Sequence, residues 1–278
     1  MIRVTTDFLD RACANVPEKI GFEDKERTAT YREVRDTSLK IALALDKVSH
    51  RGAEPQPVAI LSDTNIDGMA MIHGVLYSGN YYAAIDTKSP ADRIINTLKQ
   101  MEPVAIVTSA SNKALVDSLN WPCATVVLEE CIEQPSDEQV SAWVDNIQPT
   151  DTSCVIFTSG STGIPKGVEY DHRGVIGIME AMCLDLDINS EDVVGNQSPI
   201  YYGMSTMNIF NSICAQAKLV LIPKVLFATP VPLLEYIIEK QISYVMWVPN
   251  IFATIAQFKA WEGLEEGLKC LKKLLFAG

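Results

Sequence analysis

The residues with the clearest chemical content lie between Ser153 and Val168, in the order S-C-V-I-F-T-S-G-S-T-G-I-P-K-G-V. The run Cys154 to Phe157 is short, β-branched and aromatic, and predicts a buried strand. It gives way to six small residues, Thr158, Ser159, Gly160, Ser161, Thr162 and Gly163. Small side chains and glycines let a backbone approach a polyanion closely, offering it N–H groups and hydroxyls together. Pro165 then stiffens the exit, and Lys166 supplies a point charge suited to a phosphate. A strand, a hydroxyl-glycine loop, a proline, a lysine and a glycine in this order predict phosphate binding rather than an ordinary surface loop.

The loop is not a Walker A motif, because Lys166 is followed by Gly167 and the spacing between glycines differs. Nor is it a nucleophile elbow, since Gly160-Ser161-Thr162-Gly163 lacks the Gly-x-Ser-x-Gly spacing. Thr158 to Val168 closely resembles the phosphate-loop signature of the adenylate-forming superfamily. That superfamily includes amino-acid adenylation domains, D-alanine–carrier-protein ligases, acyl-CoA synthetases and luciferases. The resemblance implies ATP and Mg²⁺ as cofactors. It implies that Thr158, Ser159, Gly160, Ser161, Thr162, Gly163 and Lys166 hold the phosphates, with Lys166 and Thr162 the groups of catalytic importance.

The chain that positions this loop has 278 residues, 47% apolar and 21% charged, an ordinary globular composition with room for one large or two medium domains. A formal charge of −12 argues against a nucleic-acid partner, which needs a basic face, but not against ATP, which needs only a local site. No apolar run reaches the roughly 18–20 residues of a membrane span. Met1 to Asp7 lacks the apolar core of a signal peptide, so a cytoplasmic location is expected. Seven cysteines (Cys13, Cys123, Cys131, Cys154, Cys183, Cys214 and Cys270) are scattered singly, which suggests thiols in a reducing compartment. His50, His73 and His172 are far apart in sequence, and nothing has metal-ligand spacing, so no metal site is expected in the chain itself.

Strands and helices alternate along the chain. Thr30-Tyr31-Arg32-Glu33 reads as a capping box opening a helix that reaches about Lys47. Pro57 to Leu61 reads as a strand, Met69 to Tyr77 as a helix and Tyr82 to Ile85 as a strand. Ser89 and Pro90 look like the N-cap and first residue of the next helix. Two further strands are predicted at Pro103 to Thr108 and Ala124 to Leu128. The acidic stretch Glu133 to Asp151 reads as an irregular connection. Such alternation predicts parallel βαβ units, an α/β fold. Tyr82, Asp86, Pro90 and Arg93 also match a second landmark of the superfamily, and read as structural. His172, just past the loop, matches a histidine common there and reads as orienting the next helix, Gly174 to Leu184.

The second informative stretch is Ser198 to Phe210, S-P-I-Y-Y-G-M-S-T-M-N-I-F, followed by a strand at Lys218 to Pro223. Amino-acid-activating members of the superfamily have an aromatic residue, then an Asp that holds the substrate ammonium, then a Ser. Anchoring on Ser205 and Phe210 puts Tyr202 at the aromatic position and Gly203 at the Asp position. Gly203 cannot pair a buried cation, and Asn208 stands where an acid is usual. Either the substrate has no α-amine, or another group holds it. The strand Tyr244 to Val248 precedes Pro249 and a helix at Ile251 to Trp261. By the same resemblance Met204, Met207 and Trp247, with Tyr202 and Gly203, line an acyl pocket, crowded and suited to a small or flat acid.

The resemblance implies the layered βαβ subdomains of the adenylate-forming large N-terminal domain. Their expected limits are about 1–170 for the first, with the phosphate loop at its end, and about 171–278 for part of the second. Lys272 to Gly278 reads as a strand, and the wording L-L-F-A-G sits nearest the peptide-synthetase and D-alanine-ligase branches. In the superfamily the adenine- and Mg²⁺-binding segment, the ribose-binding Asp and a lid with a lysine come later, so the chain is expected to be the N-terminal part of such an enzyme. The implied function is ATP-dependent activation of a small carboxylic or amino acid as an acyl-adenylate, for transfer to a carrier-protein or CoA thiol. A binding module or scaffold without catalysis is the alternative.

Overall fold

The computed structural model describes residues 2–49, 54–159 and 165–277. The chain opens with α1 (Thr6–Asn15), β1 (Ile20–Glu23), β2 (Thr28–Thr30), α2 (Tyr31–Ser49), β3 (Pro57–Leu61), α3 (Ile66–Tyr77) and β4 (Tyr81–Ile85). It continues through α4 (Ala91–Met101), β5 (Ala105–Thr108), α5 (Ala110–Ser118), β6 (Ala124–Val127), α6 (Asp137–Asp145), β7 (Thr152–Ser159) and β8 (Pro165–Asp171). The rest comprises α7 (His172–Asp185), β9 (Val193–Asn196), α8 (Gly203–Cys214), β10 (Lys218–Leu221), α9 (Pro230–Glu239), β11 (Tyr244–Trp247), α10 (Pro249–Gln257) and β12 (Lys273–Phe276).

The strands form two sheets, ordered β6-β5-β3-β4-β7-β8 and β12-β11-β9-β10-β1-β2. Neighbours are parallel throughout, except for the antiparallel edge pairs β7–β8 and β1–β2. The expected α/β architecture is present. The first sheet ends at Asp171, and β1 and β2 belong to the second sheet, which closes through β1 on β10. Among the described residues no helix is long and apolar enough to cross a membrane.

Period-two alternation divides every central strand between two cores. Val58, Ile60, Tyr82, Ala84 and Val107 of the first sheet point into one cluster, shared with Leu219, Leu221, Tyr244 and Met246 of the second. The helices filling that shared layer are α1, α2, α3, α7 and α8. Ala59, Leu61, Ala83, Ile85 and Ile106 face the other way, onto α4 and α5. Val220, Val245 and Trp247 face α9 and α10. The result is five layers, helix–sheet–helix–sheet–helix. The strands read as unbroken apolar runs because both faces are covered.

Local signals act largely as the sequence suggests. The Glu33 N–H donates to the Thr30 hydroxyl (3.1 Å) and the Thr30 N–H to the Glu33 carboxylate (2.7 Å), a closed capping box. Two expectations are corrected. Pro90, not Ser89, is the N-cap of α4, and it makes no side-chain capping bond. The acidic stretch before the loop contains α6, started by a second capping box between Ser136 and Gln139 and anchored through buried Val140 and Trp143. With only two apolar anchors its period is too sparse to stand out in sequence.

The layer between the sheets depends on close approach of α2 and α3. A Cβ on Gly74 would lie 2.7 Å from Ile41 Cβ and 2.9 Å from the Ser38 carbonyl. Gly74→Ala is therefore expected to destabilise the fold by roughly 1–3 kcal/mol through overpacking. The check is the midpoint of urea unfolding, and an unchanged midpoint would mean that the two helices separate at no cost.

Candidate functional site

β7 emerges from the first sheet and returns as β8, with Thr158 opposite Lys166 and Ser159 opposite Pro165. The two ends of the predicted phosphate loop are thus paired with each other. Gly160, Ser161, Thr162 and Gly163 lie outside the described residues. Of the flanking groups, Thr158 is exposed and donates through its hydroxyl to the Lys166 carbonyl (3.4 Å). Lys166 is exposed, with no carboxylate partner among the described residues. Gly167 has a structural reason of its own. A Cβ there would meet Val155 Cγ1 at 2.7 Å, so only glycine lets β8 lie flat across β7.

The base of the hairpin leads into α7. The Asp171 carboxylate accepts from the Gly174 N–H at 2.6 Å as its N-cap. His172 is buried, and its Nδ1 accepts from the Thr5 N–H (3.2 Å) and lies 2.8 Å from the Thr5 hydroxyl. An N–H can only donate, so Nδ1 is the acceptor and the ring proton sits on Nε2. Burial lowers the His172 pKa to about 4, against the partial opposition of Asp151, Asp171 and Asp7. His172 therefore orients α7 against α1 as a neutral ring.

A cleft of about 640 Å³ opens beyond the carboxyl ends of the parallel strands. Its walls are the segments that follow β1 (Asp24 to Glu26), β3 (Ser62 to Asn65), β4 (Asp86 to Lys88), β9 (Gln197, Pro199, Tyr201) and β10 (Ile222 to Val225, and Phe227). β7 runs parallel to β4, so the carboxyl end of β7, at Thr158, points the same way as these strand ends. In open α/β sheets this rim is where ligands bind, because loops and helix starts converge there. Tyr201 carries a phenol pushed up by burial and by the adjacent Asp86 carboxylate.

None of the expected acyl-pocket residues Tyr202, Gly203, Met204, Met207 and Trp247 is among those lining this cleft, and they separate into two groups. Tyr202 is 57% exposed and is the N-cap of α8 without a side-chain capping bond. Gly203 begins the helix, and a Cβ built on it would meet nothing within 4 Å. Met204 and Met207 are half-buried against the core between the sheets. Asn208 is fully buried, donating to Asn196 Oδ1 (3.0 Å), while its own Oδ1 and the Ser205 hydroxyl have no partner. Trp247 is a correction. It is fully buried, donates through Nε1 to the Gly195 carbonyl (3.1 Å), stacks on Phe252 and meets Phe227 edge-on. The pleat of β11 turns it toward α9 and α10, while its neighbour Met246 faces the side of Met204 and Met207. Strict alternation from Tyr244 was the available signal. Trp247 instead backs Phe227, which reaches the cleft. The wall residues Asp24, Asp63, Tyr201 and Phe227 carried no local sequence signal, since they converge only once both sheets are assembled.

A description of the AMP-binding enzyme family matches residues 9–278. The chain belongs to that family. Bacitracin synthase 1 of Bacillus licheniformis is 31% identical over 278 residues, covering 98% of this chain and 5% of that protein. Enterobactin synthase component F of Escherichia coli (strain K12) is 26% identical over 266 residues, covering 95% of this chain and 20% of that protein. The chain spans well under half the length of the curated relatives it matches. Among solved structures, the nonribosomal peptide synthetase FmoA3 in its AMPPNP-bound form superposes with a TM-score of 0.81 at 19% identity, over 99% of this chain and 28% of that one. Its alpha-methyl-L-serine-AMP-bound form gives 0.81 at 20% identity, over 99% and 30%. The two-sheet fold is thus that of the N-terminal part of peptide-synthetase adenylation domains.

The buried neutral imidazole has a pH consequence. The unfolded chain binds a proton on His172 below pH 6.5, and the folded chain only near pH 4, so stability falls as pH drops through that window and is flat above it. The slope from this residue is at most about 1.4 kcal/mol per pH unit. His172→Gln, whose amide oxygen can take the Thr5 donors, is expected to flatten the curve between those values. Urea titrations at several pH values check this, and an unchanged slope would mean that His172 titrates normally.

Proposed function

We propose that this chain forms the triphosphate grip and acid-binding part of an AMP-forming ligase. The observation that supports the reading is the β7–β8 hairpin, which pairs Thr158 with Lys166 at the two ends of the hydroxyl-glycine segment, with β7 parallel to the strands whose carboxyl ends border the cleft. In the reaction, a carboxylate oxygen of the substrate acid attacks the α-phosphorus of ATP. The α–β phosphoanhydride breaks, pyrophosphate leaves and an acyl-adenylate forms. A thiol then attacks the acyl carbon and AMP departs. No side chain acts as nucleophile, so catalysis is positioning and charge stabilisation.

Thr158, Ser159, Ser161 and Thr162 supply hydroxyls, Gly160 and Gly163 let backbone N–H groups approach, and Lys166 neutralises charge on the departing pyrophosphate. Mg²⁺ fits as the ion that accompanies ATP. Its ligands would include the phosphate oxygens of the nucleotide. The thiol belongs to a phosphopantetheine arm, on a carrier protein as in peptide synthetases and D-alanine ligases, or in CoA. A cytoplasmic setting, where ATP is supplied, suits this chemistry.

The acid is small. Gly203 offers no carboxylate where the family signature has one, which favours an acid without an α-amine. Asp24, Glu26, Asp63 and Asp86 are the cleft carboxylates available to an amine if the substrate carried one.

Two measurements on the polypeptide as the cell makes it test these points. Lys166→Ala, or Thr162→Val, is expected to lower ATP–pyrophosphate exchange by roughly 100-fold, as for loss of one transition-state charge partner. Full activity would remove the loop from the mechanism, and nucleotide binding without exchange in the unaltered protein would point to a binding module. Across a panel of small acids, exchange is expected to favour aryl, keto, hydroxy or plain carboxylic acids. Gly203→Asp, for which the helix start has room, should shift the preference toward α-amino acids. An unaltered protein that already prefers an α-amino acid would overturn the amine-free assignment.

A further inference from the structure

The signature accounts for none of the cysteines, yet two of them meet. Cys183 lies in the last turn of α7 and Cys214 ends α8, two helices packed side by side in the central layer. The Cys183 thiol points at α8, with Sγ 3.8 Å from both the backbone carbonyl and Oδ1 of Asn211, one turn before Cys214. Asn211 and Cys214, three residues apart, share one face of α8, so Cys214 is turned toward the same side as the Cys183 thiol. From a third helix, α1, Arg11 donates to the Cys214 carbonyl (2.6 Å) and places Nη2 3.7 Å from Cys214 Sγ. Both cysteines are half-buried, whereas Cys154 is closed inside the core.

We propose that Cys183 and Cys214 form a reversible dithiol–disulfide site, with Cys214 the attacking sulfur and a low-molecular-weight disulfide such as glutathione disulfide as its oxidant. The inference is independent of the ligase reading. Thiol reactivity follows thiolate character, which a neighbouring guanidinium raises. The hydrogen bond from Cys183, and then Arg11, lower the Cys214 pKa against burial and the nearby Glu180. The Cys183 pKa is raised, by the same hydrogen bond first and by burial second. The pair is asymmetric in its surroundings: a guanidinium lies 3.7 Å from Cys214 Sγ, whereas Cys183 Sγ faces the Asn211 amide, the pattern of an attacking and a resolving cysteine.

The step balances as two exchanges. The Cys214 thiolate attacks one sulfur of glutathione disulfide, forming a mixed disulfide and releasing a glutathione thiolate, which takes up a proton. Cys183 then gives its proton to solvent and attacks the Cys214 sulfur, closing the Cys183–Cys214 bond and releasing the second glutathione. Two protein thiols lose two electrons, and one small disulfide gains them. The bond joins the helix that follows the hairpin, α7, to the helix that carries Gly203, Met204 and Met207, α8.

The test is peptide mapping by mass spectrometry of the 278-residue chain after equilibration with glutathione disulfide. The expected product is a Cys183–Cys214 crosslink with loss of two hydrogens, reversed by dithiothreitol. Cys183→Ser should stop at a glutathione adduct on Cys214. Arg11→Ala should slow alkylation of Cys214 at neutral pH by roughly tenfold. A crosslink between another pair in its place, no crosslink at all, or alkylation of Cys214 no faster than of the other cysteines in the unaltered chain would each overturn the proposal. The map of the unaltered chain decides the matter even if a variant fails to fold.

Discussion

The structure depends on one packing constraint: a layer of helices must be buried on both sides by sheets whose strands run parallel. Parallel strands have no solvent face to spare, so every residue of a central strand is committed to one of two cores. That commitment makes Ile60 and Leu61, or Met246 and Trp247, neighbours in sequence but members of different layers. It also aligns the carboxyl ends of β3, β4, β9 and β10 on a common rim, and the cleft opens there. Closure of the second sheet by β1 and β2 ties the start of the chain to strands that come much later.

The hairpin shows how the same constraint serves chemistry. β7 is held on one side by β4, and β8 is held only by β7. The tip is thus carried by a strand fixed in the sheet, while most of β8 remains solvent-facing. Gly167 allows the two strands to touch, Asp171 stops β8 by capping α7, and His172 pins that helix to Thr5. The contrast with Asn208 and Ser205 is instructive. Their orphaned oxygens lie at the buried side of α8, beside the methionines, where an unsatisfied polar atom costs free energy unless water or a ligand meets it.

Much of this was legible in the sequence. The strand–loop–lysine order of the hairpin, the capping box at Thr30, the apolar strand runs and the alternation of strands with helices are local patterns, and local patterns follow from backbone geometry and side-chain period. α6 was not legible, because two anchors are too few to display a period. Trp247 was misassigned, because an aromatic residue beside a pocket strand looks alike from either face until the pleat is fixed.

The sequence by itself determined the class of fold, the strand that leads into the hydroxyl-glycine segment and the absence of an acidic side chain at residue 203. These are properties of residue type and short-range spacing. Only the tertiary structure decided which side of β11 faces the methionines, that Tyr201 and Phe227 rather than Trp247 reach the cleft, and that Cys183, Cys214 and Arg11 form one cluster. Those facts depend on where separate elements meet. Meeting is set by the burial of both faces of two sheets at once, a constraint that no single window of sequence contains.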